Sequence, residues 1–485
     1  MAKKKKAPAS PFVPAEEQPY PIPDNWCWTD IEAINHYSGS SVDPMKQPDT
    51  VFELYSVPSS ANNYPEIITG SEIGSSKQSV AQNDVLLCKI NPRINRVWKV
   101  SKYTDSDLLA SSEWIIIRNS EINPDYLMFC LRSPYFREYM MSNVSGVGGS
   151  LMRAQPKFVK NYPVPIAPIT EQHRIVSRIE SLFAKLDEAK EKAQAVVDGF
   201  ELRKSAILHK AFTGELTKQW RKEHSASPNT LLVDIEKFSR NWQKKDQQFL
   251  KDAQSTSQVV ALDNDHMWIR CTIGAISRVT NGSTPSRKFP QYWDGIIPWV
   301  SSGEVRNNII ENTNECISQE GYDNSSVKLL PVGTVLIAMI GEGKTRGQSA
   351  ILAINAAINQ NIAAVIVDHG LVSSRYIWYW FQMNYARNRE KGSGTGPQAL
   401  NCQRVRELNF FAPSLPEQKE IVCILDKLLI RELQAKEAAE AVLSQIDTMK
   451  RAILARAFRG ELGTNDPVEE WAGEMVKANL LEQLG

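Results

Sequence analysis

One long segment occurs twice in the 485-residue chain. The stretch TEQHRIVSRIESLFAKLDEAKEKAQAVVDGFELRKSAILHKAFTGELT, from Thr170, aligns without a gap with PEQKEIVCILDKLLIRELQAKEAAEAVLSQIDTMKRAILARAFRGELG, from Pro416, at an offset of 246. Identical pairs include Glu171/Glu417, Gln172/Gln418, Ile175/Ile421, Val176/Val422 and Leu182/Leu428, and both copies end A-I-L-x-x-A-F-x-G-E-L. A repeat at fixed period means one structural unit used twice, which constrains the fold more than any single motif. Ile175, Ile179, Leu182, Leu186, Ala189, Ala193, Val196 and Phe200 follow a four-three spacing. Ile421, Leu425, Leu428, Ala435, Ala439, Val442, Ile446, Met449 and Ile453 repeat it, with Glu432 as one polar interruption. The spacing predicts one long helix per copy with a coiled-coil seam, each about 60 Å long at ~1.5 Å per residue. Thr170 is expected to cap the first helix, Ser414-Leu-Pro-Glu417 to form a capping box on the second, and Gly214 and Gly460 to stop them. The natural partner of each seam is the other copy, and the intervening chain makes an antiparallel pair the expected arrangement.

The segments ahead of the two helices also correspond, more weakly. NWCWTDI (25–31) matches MWIRCTI (267–273), DVLLCKI (84–90) matches TVLIAMI (334–340), and EWIII (113–117) matches AAVIV (363–367). A helix is expected after each, over 124–139 and 373–389, then a glycine-rich loop, 145–150 or 392–396. The fold class is therefore mixed α/β: two globular domains separated by two long antiparallel coiled-coil helices, with a pseudo-twofold internal repeat. The expected boundaries are a basic disordered tail over 1–19, domains over 20–169 and 263–413, and spacer helices over 170–216 and 414–463. A polar connector over 217–262, helical from Leu231 to Ala253, and a C-terminal tail helix over 464–485 complete the plan.

Composition excludes several classes. Seven scattered cysteines without a C-x-x-C pair speak against a disulfide framework or a zinc site and fit a reducing cytoplasm. No apolar run reaches the ~18–20 residues of a membrane span. Lys3–Lys6 precede no apolar segment and so do not open a secretory signal. A net charge of +1 is low for a DNA-binding protein, unless the basic residues cluster or partners supply phosphate contacts.

Motif by motif, the chain offers no active site. AMIGEGKT (338–345) resembles a phosphate-binding loop after a strand, but its first position is Ala338 and Arg346-Gly347-Gln348 does not open a helix. The matching loop of the first domain, 91–96, lacks the pattern. Ser133-Pro134-Tyr135-Phe136 faintly resembles an amino-methyltransferase signature and reads as an ordinary helix start. What recurs at matching places is chemistry suited to DNA. The first domain carries Lys89, Arg93, Asn95, Arg96, Lys99 and Lys102; the second carries Lys344, Thr345, Arg346 and Gln348, with Thr284, Ser286, Arg287 and Lys288 earlier. Such side chains read base edges and bind phosphates. Arg153, Gln155, Lys157 and Gln398, beside the glycine loops, are further candidates.

On these residues the chain resembles the specificity subunits of type I restriction-modification systems. The resemblance rests on P-x-x-E-Q-x-x-I-V at the second helix, T-E-Q-x-x-I-V at the first, and the shared helix endings. It extends to NGSTP (281–285), YWDGIIPW (292–299) and NQNIA (359–363) in the second domain; the first domain departs from N-G-x-T-P. By resemblance, each domain would recognise one half of a bipartite, asymmetric double-stranded DNA site, and the helices would fix the gap. They would also dock two modification subunits, which bind S-adenosylmethionine and methylate adenine. Two restriction subunits, motor-nucleases using ATP and magnesium, would complete a host-defence complex. The chain itself would hold no cofactor and no catalytic or metal site. A competing reading is a coiled-coil scaffold joining two protein-binding modules; another is an ATP-driven enzyme using the Lys344 loop.

Overall fold

A computed structural model describes residues 11–142, 144–145, 152–224, 258–261, 267–341, 343–367, 369–390 and 400–484. The chain divides into two compact units, one formed by 1–194 with 440–485 and the other by 195–439. The helix expected over Leu231–Ala253, the glycine loop over 392–396 with Gln398, and most of the loop over 145–150 lie outside the described residues. Among the described residues no helix is long and apolar enough to cross a membrane.

Both units are built on one frame. In the first, Cys27–Asp30 pairs antiparallel with Pro163–Ile166, the strand that leads into the long helix Ile169–Asp198. In the second, Met267–Thr272 pairs with Asn409–Ala412, which leads into Leu415–Ala457. A short helix follows each opening strand, Ile31–Ile34 or Ile273–Ile276. Val85–Cys88 lies between Val97–Lys99 and Trp114–Ile117 in an antiparallel sheet. Its counterpart, Val335–Ala338, lies between Ser349–Leu352 and Ile362–Val367, here extended by Ser277–Asn281 and Asn308–Ile310 to five strands. The central strands Val85–Cys88 and Val335–Ala338 are buried on both faces, which is why they read as continuous apolar runs. The units diverge in their outer sheets. The first adds five mixed strands in the order Ser41–Val42, Lys77–Ser79, Asp107–Ala110, Val51–Tyr55, Glu66–Thr69; the second adds three, Glu315–Ile317, Trp293–Val300 and Ala357–Ile358.

The E-Q pair of each repeat turns out to be a latch. Gln172 donates to the Ala167 carbonyl at 2.8 Å and accepts the Asn123 amide at 2.9 Å; Gln418 donates to Pro413 at 2.9 Å and accepts Ser373 N–H at 2.9 Å. Glu171 accepts from the Trp26 indole at 2.7 Å, and Glu417 from Trp268 at 3.2 Å. Beyond that the copies differ. Glu171 takes Asn465 at 2.9 Å and Thr464 at 3.2 Å, whereas Glu417 takes Thr217 at 2.8 Å and the Arg221 guanidinium at 2.7 Å. The segment that follows one long helix therefore clasps the start of the other. Phe458 and Phe212, from the repeated A-F, pack on Tyr126 and Tyr376 at 5.2 and 5.0 Å between ring centroids.

Several helix expectations are corrected. The first repeat is interrupted locally at Gly199, between Ile169–Asp198 and Phe200–Phe212, while Gly199 N–H still donates to Ala195 and Arg203 N–H to Gly199, both at 3.0 Å. A Cβ at Gly199 would lie 2.4 Å from an Arg203 nitrogen, and Arg203 bridges the Val196 carbonyl and Glu432, at 2.8 and 2.6 Å. Glu432, the polar interruption of the seam, is thus its ion-pair partner. The helix after each central sheet likewise breaks, into Pro124–Leu131 and Pro134–Ser142, and into Ser374–Met383 and Tyr385–Glu390. Thr170 bonds Glu469 at 2.5 Å instead of capping. The Ser414 capping box does not form, because Glu417 is engaged by Trp268, Thr217 and Arg221 and the Ser414 hydroxyl is buried without a hydrogen-bond partner. Gly214 and Gly460 do end the helices in the left-handed region, at φ 78° and 75°.

The long helices run antiparallel within each unit. In the first, Glu171 meets Thr464 and Asp187 meets Lys450 at 2.6 Å. In the second, Phe200 lies under Lys436 and Arg203 meets Glu432. Ile175, Ile179 and Ala193, and Ile421, Leu425, Ala439 and Ile446, are buried, but Ala435, Val442 and Met449 are exposed. A two-helix seam covers only part of each apolar stripe. Of the tail expected over 1–19 to be disordered, the described residues 11–19 are packed on the first unit: the Pro11 carbonyl accepts from Thr29 at 2.7 Å, and Val13 N–H donates to Trp28 at 3.0 Å.

Candidate nucleic-acid interface

The loop after each central strand is held in the same way. Cys88 N–H donates to Arg96 and Ala338 N–H to Gln348, both at 3.0 Å, closing the two hairpins. A second segment then clips each loop: Ala154 N–H donates to Lys89 at 2.8 Å, and Leu400 N–H to Met339 at 2.9 Å. The candidate loops at 89–96 and 344–348 thus occupy one position on the shared frame.

In the first unit, Asn91 and Asn95 adopt φ of 46° and 51°, which asparagine tolerates better than most residues, and so bend the loop around Pro92. Lys89, exposed Arg93 and Arg96 gather there, beside Arg153, whose strand bridges Ile90 and which pairs with Glu113 at 3.3 Å. Gln155 and Lys157 follow Arg153 at the start of Pro156–Val159, with Lys157 4.7 Å over the Phe158 ring. Three other candidates are engaged by partners within the unit. The Asn95 amide donates to the Leu131 carbonyl at 3.0 Å. Lys99, opposite Val85 at the other end of the sheet, pairs with Asp125 at 2.7 Å. Lys102 lies beyond it, 3.2 Å from Asp105.

In the second unit, strand register brings Asn281, Ile362, Ala338 and Ser349 to one end of the five-stranded sheet. The 344–348 loop leaves that end and re-enters as Ser349–Leu352, so no helix N-terminus faces a phosphate there. Lys344 is exposed, Arg346 and Gln348 are half-buried, and Gly347 turns at φ 83° against Tyr385. The Tyr385 hydroxyl donates to the Lys344 carbonyl at 2.6 Å. Thr284 joins this end by donating to Gln360 at 2.5 Å, and Asn361 accepts from Met339 N–H at 2.9 Å. Gly282 permits the approach: a Cβ there would sit 1.9 Å from the Ile358 carbonyl. Asn307, at φ 56°, accepts Ser349 N–H at 3.0 Å. Ser286 and Lys288 are exposed further along. Arg287 has a structural engagement, paired with Glu315 at 2.5 and 2.9 Å and stacked 3.5 Å over Trp293. Its guanidinium is thereby held even further above its ordinary pKa, chiefly by the Glu315 hydrogen bonds, and the Glu315 carboxyl is held below its own.

Ser283, Gln360, Asn361 and Asn307 share this polar end but were not among the basic candidates. Ser283, Gln360 and Asn361 were signalled by the N-G-S-T-P and N-Q-N strings, whose common location only the register discloses, and Asn307 by no string of its own. Among the described residues no group of three or more His, Cys, Asp or Glu is placed to hold a metal ion. The polar end gathers amides, hydroxyls and two cations at one end of a five-stranded sheet, groups that can donate and accept hydrogen bonds.

Residues 267–442 match the family model described as a type I restriction modification DNA specificity domain. The matched stretch lies almost wholly in the second unit. The chain is 28% identical over 207 residues to the type I restriction enzyme EcoDI specificity subunit of Escherichia coli. That match covers 42% of this chain and 45% of the relative, so the chain spans under half the length of this curated protein. The StySPI specificity subunit of Salmonella potsdam is 23% identical over 373 residues, 75% of this chain and 71% of that protein. In fold, the chain matches the crystal structure of the HsdS subunit from Thermoanaerobacter tengcongensis with a TM-score of 0.65 at 18% identity, over 92% of this chain and all of that one. The resemblance to type I specificity subunits therefore holds in sequence and in fold.

Proposed function

We propose that the chain is the DNA-reading subunit of a type I restriction-modification complex, with each unit recognising one half of a bipartite site in double-stranded DNA. The observation that carries this reading is a common frame bearing unlike polar loops. The latch, the clipped loop and the aromatic packing recur in both units, while Lys89–Arg96 and Lys344–Gln348 present different side chains from the same position. Equal scaffolds with unequal faces suit two different base sequences read from two equivalent docking geometries.

The long helices set the gap between half-sites and dock two modification subunits, and through them two restriction subunits. Leu415–Ala457, 43 residues, is about 65 Å long at ~1.5 Å per residue, and its exposed Ile430, Leu433, Val442 and Met449 offer apolar docking surface. Catalysis, S-adenosylmethionine, ATP and magnesium belong to the partners, which also supply phosphate contacts that a net charge of +1 does not. The complex works on DNA in the cytoplasm. The test is a gel shift of the chain co-purified with its modification subunits on a library of duplexes. A sequence-dependent shift with two conserved blocks separated by a constant gap is expected; binding without sequence preference overturns the reading.

A further inference from the structure

Tyr20 is an aromatic plug in the first unit. Its ring meets Trp28 and Tyr135 edge-on, at 4.9 and 5.1 Å between centroids, and the Arg459 guanidinium lies 5.3 Å over it. The Trp28 indole donates to its carbonyl at 3.3 Å. Burial, the largest influence, pushes the phenol far above its ordinary pKa. The plug is delivered by a proline-spaced, acidic segment, PAEEQPYPIPD, from Pro14 to Asp24, and Pro23 packs so close to Gly460 that a Cβ would meet it at 2.4 Å.

Among the described residues of the second unit, no segment takes the corresponding place. Strand register equates Trp28 with Arg270, the 246-residue offset of the repeats equates Arg459 with Thr213, and the alignment of Tyr126 with Tyr376 equates Tyr135 with Tyr385. Ahead of the opening strand the chain here is zipped into a hairpin, Gln258 opposite Arg270 through Ala261 opposite Met267. What remains is a cleft of about 570 Å³, walled by Phe212, Trp380 and Phe411 and rimmed by His209, Arg270 and Arg387. That volume is in the range of sites that take a ligand.

We propose that this cleft docks an extended, acidic peptide segment of a partner protein, inserting an aromatic side chain where Tyr20 sits in the first unit. The walls offer edge-to-face packing, and the guanidinium groups match carboxylates bidentately. A DNA backbone would engage the cations and leave the aromatic walls unused, so the peptide is the better fit. The inference does not depend on which bases the chain reads.

The test uses the full chain and a fluorescent synthetic peptide of the sequence PAEEQPYPIPD, followed by anisotropy. Saturable binding is expected, weakened at least about tenfold by Tyr20→Ala in the peptide and, separately, by Arg270→Glu or Arg387→Glu in the protein. A peptide with both glutamates changed to lysine should regain affinity for the Arg270→Glu protein, which a misfolded variant would not allow. Absence of saturable binding up to about 1 mM overturns the proposal. So does binding indifferent to both arginine reversals. Displacement of the peptide by random-sequence duplex DNA, with no effect of Tyr20→Ala, also overturns it and identifies a phosphate site instead.

Discussion

Replacing Arg221 by methionine should destabilise the second unit severely, and the combined loss should be less than additive when Glu417 is changed with it. The two side chains are each about 5% exposed and meet at 2.7 Å. Arg221 also donates to the Gly214 carbonyl at 2.8 Å and to Thr217 at 2.9 Å, so one guanidinium ties the end of one repeat to the start of the other. Removing it leaves a carboxylate out of water with only the Trp268 and Thr217 donors. Breaking such a buried pair costs about 3–5 kcal/mol, because the remaining charge is uncompensated. For a unit of this size that corresponds to a melting shift of roughly 6–20 °C. Changing Glu417 to glutamine as well removes the stranded charge while keeping its shape, so the double variant should recover about 2 kcal/mol relative to the sum of the single ones. Differential scanning calorimetry measures the shifts, and hydrogen exchange of residues 415–425 localises them. Additive losses, or an Arg221→Met cost below about 1 kcal/mol, would refute the argument that this pair is the latch.

Three other outcomes follow from the same geometry. Glu171→Gln should be milder, about 1–3 kcal/mol by denaturant titration, since its counterpart contacts, Trp26, Asn465 and Thr464, are neutral donors. Gly282→Ala should cost about 1–3 kcal/mol or more and weaken DNA binding at one half-site, because its Cβ would meet the Ile358 carbonyl at 1.9 Å; thermal melts and footprinting check this. Glu469 is held below its ordinary pKa chiefly by the Arg174 hydrogen bonds. Its contribution is therefore present above the unfolded carboxylate pKa of about 4.3 and lost as pH falls through the lowered folded value. Hydrogen exchange over residues 464–476 should accelerate in that acid window, and not in the Arg174→Met variant.

The duplicated helices were legible because four-three spacing survives in any environment, and so was the mixed α/β class, because the apolar runs at 85–88 and 335–338 carry β-branched and leucine residues in strand-length blocks. The helix starts misled. Thr170 and Ser414-x-x-Glu417 have capping chemistry locally, yet distant residues, Glu469 for the one and Arg221 and Trp268 for the other, compete for the same groups. The interruption at Gly199 likewise depends on an arginine reaching across to Glu432. At the candidate interface, type and position on the loop were readable for Lys89, Arg93, Lys344 and Arg346. Engagement was not: Lys99 and Arg287 look like free cations in sequence, but each faces a carboxylate brought by another element, Asp125 and Glu315. Polar side chains without charge, such as Gln360 and Asn307, gain meaning only from strand register.

The most direct test is to map methylated adenines in host DNA from cells carrying the chain with Lys344→Ala and Arg346→Ala, beside the unaltered chain. The methylated sequence should lose or relax bases in one half of the site, with the other half and the gap unchanged. Equal loss in both halves, or an altered gap, would contradict the assignment of this loop to one half-site.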